Sequence, residues 1–322
     1  MNALTQIEPD LLALTLDAYE VGRLDRYWPA ANGIENSNYF VDTNAGQYVL
    51  TVMEQAPASG EGYFALLDAL TDYGLPVPQP IARSDGRRMT TVGGKPAILQ
   101  PRLNGAHVTN PTDTNLVSVG RAAAHIHLAT RAVAGELPRY PRDLTWLQQV
   151  TERVSPFLAY SKTNELELTL GRLTSLLTRN DVADLPGGVI HGDLFRDNVL
   201  FNDGTLSGLL DFHHAARGTW LYDVCVIAND WCCDTHGALN RERTMALLRG
   251  YHAVRPLTRA ELWFFPLFAL YAGCAFWLSR LDGTVRARTD RSVRLKNPAE
   301  FERIVTEHNA HFFYIDERVL ES

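Results

Sequence analysis

Residues 189–212 read VIHGDLFRDNVLFNDGTLSGLLDF, and this stretch decides how the rest of the chain is read. Two apolar runs, Val199 to Phe201 and Leu206 to Leu210, flank Asn202-Asp203-Gly204-Thr205, and Asp-Gly between such runs is a strong hairpin signal. With Asp203 and Gly204 as loop residues, Phe201 pairs with Leu206 and Asn198 falls opposite Leu209. Side chains alternate along a strand, so Asn198, Leu209 and Asp211 share a face, with Asn198 and Asp211 on a diagonal of roughly 7–8 Å. Both oxygens then reach a single hard cation, since Mg²⁺ takes oxygen ligands at about 2.0–2.1 Å and needs few from protein when phosphates supply the rest.

Upstream, His191-Gly192-Asp193 precedes Asn198 by four intervening residues. That spacing resembles a protein-kinase catalytic loop, whose Asp accepts the substrate hydroxyl proton and whose Asn binds metal, and Leu210-Asp211-Phe212 stands where the metal-binding Asp-Phe-Gly would be. Taken singly, Asn198 suits a turn and Asp193 a helix cap. Gathered on one hairpin face, they point to in-line phosphoryl transfer. A competing reading has Asp197, Asp211, His213 and His214 joining His191 and Asp193 around two metals to hydrolyse a phosphoester. The asparagine and the single hairpin favour transfer.

The chain has 322 residues, 46% hydrophobic and 21% charged, which fits a soluble globular protein of one large or two modest domains. Its net charge of −7, without a basic run, argues against nucleic acid or an anionic membrane as partner and leaves a small molecule. Only three of the 30 basic residues are lysines, at 95, 162 and 296. Cys225, Cys232, Cys233 and Cys274 form no CxxC pair and MNALTQIEPD lacks a leader pattern, so a reduced, cytoplasmic compartment is expected. The 18 uncharged residues from Leu262 to Ser279 reach spanning length, but Pro266 and Gly273 interrupt them and Glu261 and Arg280 bound them, so a buried core helix is expected. Nothing in the sequence indicates the oligomeric state.

Leu4, Ile7, Leu11, Leu14 and Ala18 predict a helix over 4–20. Ile34 to Val41 and Gln47 to Met53 read as a hairpin, and Gly33 to Asn38 before it supplies small polar groups suited to cradling phosphate. A helix around Tyr63 to Leu70 ends at Gly74 and Pro76, and Met89 to Val92 with Lys95 to Leu99 form a two-glycine hairpin. After a connector at 101–105, helices are predicted over 110–130, 143–160, 165–179, 221–233, 241–253, 259–280 and 298–317. The division is therefore a small sheet lobe at 1–105 and a larger helical lobe at 106–322, with a nucleotide in the cleft between them. His125 and His127, two apart on a helix, point to different sides and suit packing or hydrogen bonding rather than a shared metal. Asp223, in a mostly apolar helix, needs hydrogen-bond partners and is expected to brace the catalytic loop's backbone.

HGDLFRDN followed by LLDF resembles the aminoglycoside phosphotransferase and choline kinase superfamily, whose fold is protein-kinase-like: α+β, with an antiparallel sheet in the first lobe and a helical second lobe. GIENSNYFV, QYVLTVME, GLPVPQPI, YDVCVIANDWC, FWLSRL and KNPAEFERIV narrow the likeness to the type II homoserine kinase family. The resemblance implies an ATP- and Mg²⁺-dependent enzyme converting L-homoserine to O-phospho-L-homoserine in threonine biosynthesis. It makes Asp193 the general base, with His191 orienting its loop. Asn198 and Asp211 become Mg²⁺ ligands, and Asn36, Ser37 and Asn38 part of the loop above the phosphates. Asp230, Trp231 and Arg280, on the narrower family's stretches, become candidates for homoserine's ammonium and carboxylate. One departure stands out: Thr51 occupies the strand position where related kinases carry a phosphate-binding lysine, leaving that charge to an arginine, Lys95, or metal and backbone. A kinase for choline, ethanolamine or an aminoglycoside, and a nucleotide-binding regulator without turnover, are the alternatives.

Overall fold

A computed structural model describes residues 5–30, 36–54, 60–289 and 295–316. Chain order begins α1 (Pro9–Leu16), β1 (Leu24–Pro29), β2 (Ser37–Thr43), β3 (Gly46–Val52), α2 (Gly60–Asp72), β4 (Thr90–Val92) and β5 (Lys95–Pro101). These strands form one antiparallel sheet in the order β1-β2-β3-β5-β4. Alternation along the strands divides the sheet's two faces. Leu50, Val52, Ala97 and Leu99 pack with Leu12 and Leu16 of α1, whereas Ile98 joins Met53 and the α2 residues Leu66, Leu67 and Leu70.

The second lobe holds α3 (Asp113–Ala129), α4 (Leu144–Val154), α5 (Tyr160–Leu177), α6 (Asn180–Ala183), β6 (Gly187–Ile190), β7 (Val199–Asn202), β8 (Thr205–Leu209), β9 (Ala216–Thr219), α7 (Trp220–Trp231), α8 (Arg241–His252), α9 (Arg259–Arg286) and α10 (Ala299–Ala310). The helix α9 is long and apolar enough to cross a membrane, and most of that run is buried within the protein as a core helix. Its start is fixed by a capping box, Thr258 accepting from Glu261 N and Glu261 accepting from Thr258 N.

Several expectations shift in detail. The first helix is shorter than 4–20, beginning at Pro9, and the first strand at 24–29 was not anticipated, because its sequence LDRYWP is polar and ends in proline. Ile34, expected to open the next strand, lies outside the described residues, as do Gly33 of the polar loop and Glu317 at the expected end of the last helix. The helix expected over 143–160 is capped by Asp143, which accepts from Trp146 N at 2.9 Å, and stops at Val154 before Pro156.

The central hairpin shows the most consequential difference. Asp203 and Gly204 both have positive φ (47° and 77°), as a tight hairpin turn requires, and Phe201 pairs with Leu206 as expected. The register then slips by one residue, so Leu200 opposes Gly208 and Val199 opposes Leu209. Ser207 is the extra residue, and its hydroxyl donates to the Asn104 carbonyl at 2.7 Å. A side chain at 208 would press on Leu200 and Leu103 at 3.0 and 3.1 Å, so glycine is what lets the strand pass there. Asn198 is consequently opposite Leu210 rather than Leu209, its carbonyl accepting from Leu210 N at 2.9 Å.

Candidate active site

Strand β6 delivers His191-Gly192-Asp193 into a turn in which Gly192 has φ 77°, and a Cβ there would meet Tyr140 Cε2 at 3.0 Å and the His214 carbonyl at 3.2 Å. Asp223 of α7, fully buried, holds this turn from below. Its carboxylate accepts from the backbone N–H of His191 and of Gly192, both at 2.8 Å, and from His127 Nε2 at 3.1 Å. Burial alone would raise its pKa, but these donors outweigh burial and keep it below the usual carboxylate range. The network continues outward: His127 Nδ1 lies 2.7 Å from the Tyr251 hydroxyl, which accepts from Arg255 at 3.2 Å, and Arg255 makes a two-point pair with Glu261 at 2.8 and 3.1 Å. Burial lowers the pKa of His127 despite the adjacent Asp223, so the neutral ring with its proton on Nε2 satisfies both contacts.

His191 is also fully buried, and both ring nitrogens are engaged. Its Nε2 donates to the Leu210 carbonyl at 2.9 Å and its Nδ1 accepts from Asp193 N at 3.3 Å. A ring held this way orients the loop. Leu210 is thereby tied to both His191 and Asn198, and the next residue, Asp211, sits in a left-handed conformation (φ 60°, ψ 64°) with its side chain turned to solvent. Asn198 Nδ2 donates to the Asp193 carbonyl at 2.7 Å and to Asp193 Oδ2 at 3.2 Å. Asp193, Asn198 and Asp211 therefore share one neighbourhood. Burial pushes the Asp193 carboxyl up to about 7; His214, Lys296 and Arg142 act against the rise and Asp211 adds to it.

Asn198 directs its amide N–H at Asp193, which leaves Oδ1 as the atom that could ligate a cation. With the Asp211 carboxylate, the donor set is all oxygen, the kind a hard divalent cation takes. The two-metal alternative finds no such support, because among the described residues no three His, Cys, Asp or Glu side chains gather in a way that holds a metal. His213 is stacked on Tyr63, with ring centroids 5.0 Å apart, and Asp197 faces Lys296.

The sheet lobe's contribution is of another kind. Asn36 Oδ1 accepts from Glu54 N at 3.3 Å, and Asn38 Oδ1 accepts from the Thr51 hydroxyl at 2.8 Å. Ser37 is buried, its hydroxyl donating to Glu54 and accepting from Thr5 N at 2.8 Å. Lys95 is paired with the same Glu54 and bonded to the Thr5 hydroxyl. It shares the α1 side of the sheet with Ala97 and Leu99, so it does not stand where Thr51 stands.

The residues expected on the acceptor side fall beside the loop that carries Asp193. A cavity of about 470 Å³ is lined by Phe195, Arg196 and Asp197 of the loop together with Asp230, Arg280, Lys296 and Glu300. Asp230 accepts from Arg196 N at 2.7 Å and pairs with its side chain at 3.2 Å, and Arg280 pairs with Glu300 at 2.7 Å. Trp231 is buried, and its indole N–H donates to the Leu194 carbonyl at 3.1 Å rather than lining the cavity. Sequence reasoning gave Lys296 and Glu54 no site role and considered Asp197 only as a metal ligand in the two-metal alternative. Lys296 and Asp197 lie inside stretches quoted for the resemblance, KNPAEF and FRDN. A second cavity, of about 460 Å³, opens beside Tyr140, Tyr222 and Tyr271.

Residues 27–257 match the phosphotransferase enzyme family. Over 303 residues the chain is 39% identical to a homoserine kinase of Pseudomonas aeruginosa, covering 94% of this chain and 95% of that protein. A homoserine kinase of Burkholderia ambifaria is 37% identical over 321 residues, covering 97% and 96%. Among solved structures, amicoumacin kinase in complex with AMP-PNP, Ca²⁺ and its antibiotic superposes with a TM-score of 0.70 at 13% identity, covering 98% of this chain and 93% of that one. Spectinomycin phosphotransferase with ADP and spectinomycin gives 0.67 at 12% identity, covering 98% of each. At such identities the structural likeness speaks to the fold, a kinase-like pair of lobes.

Proposed function

Since the chain belongs to the phosphotransferase enzyme family, we propose that Asp193 acts as general base in transferring the γ-phosphoryl group of ATP to the hydroxyl of L-homoserine. The hydroxyl oxygen attacks the γ-phosphorus as its proton passes to Asp193, and the bond from that phosphorus to the bridging oxygen of ADP breaks. A base held near neutrality suits this role, because it is available to accept a proton at working pH and strong enough to do so. Asn198 and Asp211 would hold Mg²⁺, which when bound supplies neutralising charge to the phosphates. His191 and Asp223 fix the loop so that the base needs no reorganisation.

The observation that carries the choice of acceptor is the cavity beside the loop. It presents Arg196, Arg280 and Lys296 against Asp197, Asp230 and Glu300, three charges of each sign, which fits a zwitterion better than a polycationic antibiotic. The stretches that narrow the resemblance, ANDWC, FWLSRL and KNPAEF, meet there. Homoserine phosphorylation places the enzyme in threonine biosynthesis, in the reducing cytoplasm that its four unpaired cysteines fit.

Mg²⁺-dependent ADP release, measured with homoserine, serine, choline, ethanolamine and an aminoglycoside, tests this reading. The largest kcat/KM should belong to homoserine. A larger value for choline or ethanolamine would overturn the assignment, and no ADP with any alcohol would overturn the kinase.

A further inference from the structure

Three ion pairs line the acceptor cavity, and they are not alike. Arg196 and Asp230 are joined at 3.2 Å, and Asp230 also accepts the Arg196 backbone N–H at 2.7 Å, which pins the far end of the catalytic loop. Arg280 meets Glu300 at 2.7 Å and the Asn297 carbonyl at 2.9 Å, pinning the segment that leads into α10. Both pairs have a structural task. The third, Lys296 with Asp197, is separated by 3.6 Å, with 36% and 48% of the two side chains exposed. Such a pair contributes little to stability and opens readily.

Its position is specific. Asp197 lies four residues after Asp193 on the same loop, and Lys296 Nζ stands 5.8 Å from the ring of Phe195, between the two aspartates in sequence. The backbone after Lys296 is anchored by the Arg280 contacts to Asn297 and Glu300. In homoserine a short carbon chain separates the hydroxyl from both charged groups, so once the hydroxyl reaches Asp193 its ammonium and carboxylate must be met next to the loop.

We propose that the Lys296–Asp197 pair is the acceptor clamp: it opens to admit the zwitterion, Lys296 taking the carboxylate and Asp197 the ammonium. The inference rests on homoserine being the acceptor, and it makes these two residues the determinants of acceptor choice. Arg196 and Arg280 are then tethers for the walls of the site. Exchanging one loose ion pair for two pairs with substrate leaves no charge stranded in the half-closed cavity.

The test uses L-homoserine with two truncated alcohols, 3-aminopropan-1-ol, which lacks the carboxylate, and 4-hydroxybutanoate, which lacks the ammonium. The unsubstituted enzyme should prefer homoserine to both. Lys296→Met should lower kcat/KM for homoserine by about 10–100-fold, through KM, and erase the preference over 3-aminopropan-1-ol, with KM for ATP unchanged. Lys296→Arg should restore most of it. Asp197→Asn should erase the preference over 4-hydroxybutanoate instead. Melting temperatures of all three variants should match the parent, since the pair is partly exposed and weakly held. If the parent itself shows no preference for homoserine, the homoserine reading fails and the clamp with it. If the parent shows the preference and both variants keep it, the clamp alone is wrong.

Discussion

Two carboxylates in this protein collect hydrogen bonds, Asp223 beneath the His191–Asp193 turn of the helical lobe and Glu54 on the α1 face of the sheet lobe. Asp223 is fully buried and accepts two backbone N–H groups and a buried imidazole. Glu54, at the rim, accepts from side chains, those of Lys95, Ser37 and Thr5. Donors on the backbone bring no side-chain entropy cost and, in a dry interior, have no water to replace a lost partner. A side-chain donor such as Lys95, 39% exposed, can exchange with solvent. The turn that carries Asp193 is therefore built as a fixed platform, and the end of β3 as an adjustable one.

The severest way to break that contrast is Asp223→Ala. It strands two backbone N–H groups and breaks into a buried network, at an expected cost of about 3–5 kcal/mol in unfolding free energy together with loss of turnover. Denaturant unfolding and an ADP-release assay on the same sample would check both. A cost as small as that of a rim substitution would mean the platform is not what holds the loop.

Asp193→Asn separates chemistry from support. It keeps the shape and removes the base, so kcat should fall by about 10²–10⁴-fold. Because burial disfavours the charged carboxylate, folding stability should hold or rise, which thermal melting would show. A variant that loses stability along with activity would place Asp193 in the supporting network instead.

How much of this was readable beforehand follows the same divide. The spacing of Asp193, Asn198 and Asp211 stood out because loop rules act over a few residues, but the face expected to join Asn198 and Asp211 came from a register that the bulge shifts by one. The bulge at Ser207 was not legible, because its cause is a hydrogen bond to Asn104, more than a hundred residues earlier. The brace at Asp223 was legible as a buried charge needing partners, yet His127 as one of them was not, since only the packing of α3 against α7 and α8 brings the three together. Glu54 was given no role, since nothing local links it to Lys95 or Thr5. Thr51 was seen as a missing lysine. The structure shows a hydroxyl bonded to Asn38, with Lys95 on the opposite face of the sheet.

A smaller effect sharpens the contrast through pH. His308 of α10 is buried, with Nε2 2.8 Å from Asn229 Oδ1, and burial brings its pKa down from 6.5 to about 4. A depressed imidazole favours the neutral form in the folded state, so its contribution is present above the unfolded value and is lost as pH falls. Between about 6.5 and 4 the folded state should lose up to about 3 kcal/mol from this one group. His308→Gln keeps a donor for Asn229 and has no proton to gain. The drop in melting temperature between pH 7 and pH 5 should shrink in the variant, and an unchanged drop would assign the acid lability to other groups.

The rim should yield least. Burial pushes the Glu54 pKa up, but the bonds from Lys95, Ser37 and Thr5 outweigh it and hold the carboxyl below its usual value, so its contribution is lost only under acid conditions, as pH falls through that lowered value. Lys95→Met and Glu54→Gln should each cost no more than about 1 kcal/mol, the ordinary worth of a partly exposed pair. Their signature should appear in nucleotide binding. Glu54 N is bonded to Asn36 and Glu54 accepts from Ser37, so loosening this corner should raise KM for ATP several-fold while leaving KM for homoserine in place. If homoserine binding weakens and ATP binding does not, the rim belongs to the acceptor and the division of labour between the lobes has been drawn the wrong way round.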